Sequence, residues 1–241
     1  AEQVVRSLEA GKAVFVEKPL CLTREELESI RAARLASGRL LAVGFNRRYA
    51  PLVRKMKERL ALLPGPRVIQ VRVNALRLPR DHWTQDPAVG GGRLAGEGCH
   101  FVDLIPFLAG SPIESLQAGK VPPGAGGPPR SDNFSLSLVM ADGSLGSLLY
   151  TSLGDSSLPK ERIEVHAGGA SLVLDDFRDL WLHVGGSARK ISGARDKGIE
   201  KEAEALLASL RGEPSDLISW EEIEAATGWT LRAQEILEGK G

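Results

Sequence analysis

The hydrophobic positions keep one rhythm up to Pro66 and another beyond it. Residues 2–10 read as an amphipathic helix that Gly11 is placed to stop. Val14 to Val16 is an apolar strand core, and "LLAVGF" is a second. Between them, "TREELESIRAARLASG" opens with a capping box, Thr23 with Glu26, puts Leu27, Ile30 and Ala33 on one face, and closes at Gly38. "YAPLVRKMKERL" is a further helix with Pro51 near its first turn. Two all-apolar strands alternating with helices predict a parallel pair buried on both faces. After Pro66 the period becomes two. "RVIQVRVNALRL" alternates, "DNFSLSLVMADGSLGSLLYTSL" folds around Asp142-Gly143, "ERIEVHAGGASLVLDD" folds around Gly168-Gly169, and "DLWLHVGG" adds one more strand. These predict a mostly antiparallel sheet with one wet face. "GKVPPGAGGPPR" reads as a surface loop. Two helices close the chain, the second opening with a capping box, Ser219 with Glu222.

The fold class is therefore α/β: a small parallel remnant over residues 1–50, then an α+β unit over 51–241 with an open, mostly antiparallel sheet. At 241 residues, 42% apolar and 26% charged, the chain can bury a sizeable core. Lysine plus arginine and aspartate plus glutamate both number 31, so no basic excess points to nucleic acid. No apolar run approaches a membrane span and no leader pattern is visible, which makes a cytoplasmic location the default expectation. Cys21 and Cys99 make no disulfide framework and no metal spacing.

Three stretches could carry chemistry. In "AVFVEKPL", a buried strand delivers Lys18 to the edge where open α/β sheets bind ligands, and partial desolvation there would let it exchange a proton. Alone, the tripeptide reads first as a surface lysine after a strand. In "GFNRRYAP", Asn46, Arg47, Arg48 and Tyr49 follow the second strand at the same edge. They could hold a carboxylate, hydroxyl or phosphate, or simply make a solvated turn into a helix. The third stretch runs from Asp81 to Gly110. Gly90 to Gly92 permit close backbone approach, but they lack the phosphate-cradle pattern. A helix starting near Gly98 would put His100 in its first turn, where the helix dipole favours neutral imidazole. Asp103 could orient His100 or bind a neighbour, and Cys99 reads as a small buried hydrophobe. A zinc site from His82, Glu97, Cys99 and His100 matches no familiar ligand spacing.

Together, "EQVVRSLEAGKAVFVEKPLCLTREEL", "VGFNRRYAP" and "GGGRLAGEGCHFVDLIPFLAG" resemble the glucose–fructose oxidoreductase / inositol dehydrogenase / MocA family of nicotinamide-dependent oxidoreductases, in order and spacing as well as wording. The third motif is most similar to the subgroup fused behind a zinc-type alcohol dehydrogenase unit. The resemblance implies a Rossmann domain, then a domain whose open sheet forms a homo-oligomer interface. It implies hydride transfer between NAD or NADP and a hydroxyl-bearing carbon of a sugar or cyclitol. Lys18 and His100 would be catalytic. Asn46, Arg47, Tyr49, Glu97 and Asp103 would lie near the substrate, and Glu17, Lys18 and Pro19 near the cofactor. The Lys18-Pro19 bond would be cis.

Two departures qualify the match. The family places an aspartate four residues before the histidine. Here that position is Gly96; Glu97 beside it could substitute, though its side chain would point elsewhere, and the question stays open. The strand–GxGxxG–helix fingerprint is missing, and the EKP motif begins at residue 17. Most of the parallel sheet is thus expected to lie outside this chain, which alone would bind NAD(P) weakly or not at all. The strand pair then needs cover from the second domain, a partner or further residues. The competing expectation is a non-catalytic sugar-binding or assembly module of the same ancestry.

Overall fold

In the computed structural model, which describes residues 1–122 and 130–240, both capping boxes are formed. Thr23 Oγ1 accepts from the Glu26 amide and Ser219 Oγ from the Glu222 amide, each at 3.2 Å. Each glutamate returns the bond to the capping residue's own amide. Helix α1 spans Glu2–Glu9, α2 Arg24–Ser37 and α3 Pro51–Leu60. Strands β1 (Val14–Val16) and β2 (Leu41–Val43) pair in parallel, Val14 opposite Leu41. Both therefore end at one edge, where Lys18 and Asn46–Tyr49 emerge.

One face of this small sheet is covered from within the chain, while Phe15 on the other is 44% exposed, so the expectation of burial on both faces is not met. The last helix, α6 (Trp220–Leu237), and the residues before it bring Ile218, Trp220, Ile223 and Leu231 into one apolar cluster with Leu8, Ile30, Val43 and Phe45. Of the three covers expected for the strand pair, this is the first.

The large sheet has eight strands: β3 (Val68–Asn74), β4 (Ile113–Lys120), β5 (Phe134–Met140), β6 (Leu145–Thr151), β7 (Glu161–Ala167), β8 (Ala170–Asp175), β9 (Asp179–Val184) and β10 (Ser187–Ser192). Their order is β10-β9-β8-β7-β3-β6-β5-β4. Every pair is antiparallel except β3 with β6. Its inner face, with Ile69, Val71, Leu136, Leu148 and Val165, packs against α3 and α4 (Cys99–Ala109), while α5 (Ile199–Leu210) lies against the Asn46–Tyr49 turn.

Two strands escaped the sequence pattern. "IESLQAGK" forms β4 although a loop was expected from Gly119, and "SARKIS" forms β10 at an exposed edge where no alternation is required. The rest of that expected loop, residues 123–129, lies outside the described residues. Among the described residues no helix is long and apolar enough to cross a membrane.

Candidate active site

Strand β1 delivers Lys18 to the sheet edge as expected, and Lys18-Pro19 is a cis peptide. The Lys18 ammonium donates to the Gly96 carbonyl oxygen at 2.6 Å. Gly96 belongs to a π-helical turn, Leu94–Gly98, that runs directly into α4. Such turns disturb the regular carbonyl ladder and recur at functional sites. Here the backbone oxygen of Gly96 meets the lysine at the position where the resemblance implied a carboxylate. Glu17 is exposed and packs along Gly44, where an added Cβ would stand 3.0 Å from its Oε2. It does not line the cleft.

Because of that π turn, His100 is not at a helix N-terminus: helical backbone precedes it from Leu94. The dipole argument for its neutrality falls, but the neutrality stands for other reasons. Burial pushes its pKa well below the usual value, and the cations Arg47, Lys18, Lys197 and Lys160 push the same way. Arg47 Nη1 lies 3.1 Å from His100 Nε2. A guanidinium can only donate, so Nε2 accepts and the proton sits on Nδ1. Nδ1 is buried with no partner among the described residues.

Arg47 is the one member of the Asn46–Tyr49 turn that lines the cleft. Asn46 Oδ1 accepts from Arg47 Nη1 at 3.1 Å and so supports it from below. Arg48 turns away into a buried fork with Asp103, with Nε 3.0 Å from Oδ2, and also reaches Glu222 at 2.8 Å. Asp103 therefore holds Arg48 and neither orients His100 nor reaches the cleft. Tyr49 is buried too: its hydroxyl accepts from the Ile218 amide at 2.9 Å. Asn46, Tyr49 and Asp103, expected near the substrate, thus do not line this cleft. A three-residue-per-turn helix spreads its side chains in three directions, and only one faces the cleft.

Glu97, whose direction the sequence left open, lines the cleft. Its carboxylate accepts from Tyr150 Oη at 2.6 Å and Lys160 Nζ at 2.5 Å, with Arg47 Nη2 at 3.9 Å. Burial alone would raise its pKa, but Lys160, Tyr150 and Arg47 together hold it below the usual value. A second carboxylate, Glu161, is fully buried and binds Arg47 Nη2 at 3.3 Å and the ammonium of Lys197. Sequence reasoning missed Tyr150, Lys160, Glu161 and Lys197. One signal was available: Glu161 shares the inward register of Ile163 and Val165, so an acid sits on a strand's core face.

The cleft holds about 350 Å³. Lys18, Arg47, Glu97 and His100 form its polar wall, and Pro19, Trp83 and Val89 its apolar one. Trp83 is 64% exposed, which leaves its ring free beside the site. Gly90 makes that wall possible, since a Cβ there would stand 2.3 Å from Thr84 Cα. Cys99 is buried and its thiol is pushed up to about 12, consistent with packing. His82 Nδ1 caps the turn at Thr84, and among the described residues no three potential metal ligands cluster.

A family model described as the GFO/IDH/MocA C-terminal domain matches residues 54–173. Inositol 2-dehydrogenase 3 of Saccharopolyspora erythraea is 52% identical over 59 residues, covering 24% of this chain and 18% of that protein. The scyllo-inositol 2-dehydrogenase (NADP(+)) of Bacillus subtilis is 28% identical over 177 residues, covering 71% of this chain and 48% of that protein. The matches thus span less than half the length of either relative. Among solved structures, an inositol dehydrogenase homolog from Azotobacter vinelandii, complexed with NADH and myo-inositol, shares the fold at a TM-score of 0.78. It is 19% identical, with 99% of this chain and 73% of that chain covered.

Proposed function

Since this chain belongs to the GFO/IDH/MocA family, we propose that it carries the substrate side and the proton-handling residues of a nicotinamide-dependent oxidoreductase acting on a sugar or cyclitol. One observation carries this reading. At the end of a parallel strand, Lys18 spends one of its three N–H groups on Gly96 and faces a cleft shared with a neutral, half-satisfied histidine. Relatives that act on inositols, with NADP(+) in one case and NADH in another, support it.

The cleft's donor set fits such a reaction. The unspent donors of Lys18 are groups a substrate hydroxyl would satisfy, and Pro19, Val89 and Trp83 offer apolar surface to a planar ring. A bound nicotinamide, from NAD or NADP, would accept or return the hydride. Lys18, as the neutral amine after its ammonium has released a proton to solvent, would bind the reacting hydroxyl and take its proton as the carbonyl forms. His100 cannot compete for that proton, because an imidazolium would be buried against Arg47. It would instead hold Arg47, whose Nη1 donates to Nε2, in place beside the cleft. Arg47, clamped by Glu161 and Asn46, would hold a neighbouring hydroxyl, and Glu97 would accept from another.

Growth of reduced-nicotinamide absorbance with NAD or NADP and a panel of cyclitols and hexoses tests this reading, measured on this chain fused behind the dinucleotide-binding domain of a family member, because the chain alone is expected to bind NAD(P) weakly or not at all. Turnover of at least one polyol by the fusion is expected. No turnover across the panel, with the fusion folded and binding the cofactor, contradicts it.

A second reading, a sugar-binding or assembly module without catalysis, has one observation in its favour. On the outer face of the sheet Val68, Val139, Leu145 and Leu149 are exposed, and Leu145 is register partner to both Val68 and Val139. Under either reading this apolar patch would be covered in a homo-oligomer. Sedimentation of wild type against Leu145→Glu checks this: dissociation of the variant supports it, and unchanged mass opposes it.

A further inference from the structure

A second cavity, of about 620 Å³, adjoins the cleft. The two share Leu78 and Arg93 in their walls, so a molecule held at Lys18 can continue past these residues without leaving the protein surface. The second cavity is walled by the end of β3, by the turn joining β6 to β7 at Ser156–Lys160, and by the β8–β9 turn with Asp175–Asp179.

Its charges are nearly all spoken for. Arg93 lies 3.6 Å from Asp132, Lys160 is bound to Glu97, and Arg195 to Asp176 at 2.9 Å. Asp175 binds Arg162 at 2.9 Å and Asp179 binds Lys190 at 3.2 Å. Arg178 has no ion pair among the described residues. A wall that alternates carboxylates with N–H donors suits hydroxyl groups, each of which both donates and accepts. A pyrophosphate would instead stand against Asp175, Asp176 and Asp179, a repulsion that one free arginine would not offset. On the same wall Leu76 is 64% exposed, and Leu158 at 48% adds further apolar surface of the kind the C–H face of a sugar ring covers.

We propose that the substrate has two units: an oxidisable ring at Lys18 and a second, uncharged saccharide unit seated between Arg178, Ser156 and Leu76. The substrate class is thus a disaccharide or glycoside, and not a sugar nucleotide. This rests on the polyol reading of the cleft.

Saturation-transfer NMR on the full chain tests it, with myo-inositol, D-glucose, maltose, cellobiose, trehalose and UDP-glucose as probes. At least one two-ring sugar is expected to bind about tenfold tighter than either single ring. Ser156→Trp, on an outer turn away from Lys18, is expected to abolish that gain and leave single-ring binding unchanged. UDP-glucose is expected to bind no tighter than glucose. Equal affinity for one-ring and two-ring sugars overturns the proposal, as does a gain that survives Ser156→Trp or a marked preference for UDP-glucose. Absence of binding by every probe overturns the polyol reading and this proposal with it. Single-ring binding without the gain overturns this proposal alone.

Discussion

The Lys18 ammonium rests on the carbonyl oxygen of Gly96, 2.6 Å away, and not on a carboxylate. A backbone dipole, and not a charge, is its nearest acceptor. Gly96→Asp reverses this. The new Cβ would stand 3.0 Å from the Thr84 methyl, a side-chain contact able to shift slightly. A carboxylate beside the ammonium is expected to compete with the reacting hydroxyl for Lys18 and to lower kcat about tenfold. A kcat equal to that of wild type would show that the acceptor at position 96 does not matter to the reaction.

The Arg47–Glu161–Lys197 cluster is a buried ion network whose central carboxylate has no exposure. Removing one partner strands the others. Glu161→Ala is expected to cost about 3–5 kcal/mol in urea unfolding and to weaken substrate binding through Arg47. A loss below about 1 kcal/mol, at the level of an exposed pair, contradicts the network's role.

How far this site could be read from sequence is clearest at Arg47 and Arg48. They are adjacent and identical, yet one faces the cleft and the other a buried fork with Asp103 and Glu222. That choice is made by partners from α4 and α6, far along the chain, and no local pattern encodes it. Features decided by near neighbours were legible: the Thr23–Glu26 box and the turn at Asp142-Gly143, whereas the cis Lys18-Pro19 bond was implied only by the family resemblance. The direction of Glu97 was left open by the sequence because it depends on a π turn and on Tyr150 and Lys160, donors far along the chain. Strand β10 was missed because an exposed edge needs no apolar alternation.

Glu202 on α5 gives a pH prediction. Its carboxyl is pushed up from 4.5 to about 7, first by burial and then by Glu17 and Asp103. A carboxyl whose folded pKa is raised favours folding while neutral. That stability is fully present below about pH 4.5 and is lost as pH rises through about 7. Glu202→Gln is therefore expected to be more stable than wild type by about 2 kcal/mol at alkaline pH, the difference vanishing in acid. Urea unfolding of both proteins across this range checks it. A pH-independent difference contradicts the assignment.

The free ring of Trp83 yields a fourth expectation. It forms the apolar wall of the cleft without packing into the core. Trp83→Ala is expected to raise KM about tenfold and to leave unfolding within about 0.5 kcal/mol of wild type. A large stability loss would mean that the ring serves the fold instead.

The central claim is that Lys18 handles the proton of the reacting hydroxyl. The most direct measurement is kcat of Lys18→Met against wild type, both fused behind the same dinucleotide-binding domain, with a polyol that the wild-type fusion oxidises and saturating nicotinamide cofactor. Met keeps much of the stem and removes the ammonium. The expected result is a loss of about 10²–10⁴ in kcat with the fold intact. A kcat within about threefold of wild type would contradict the assignment.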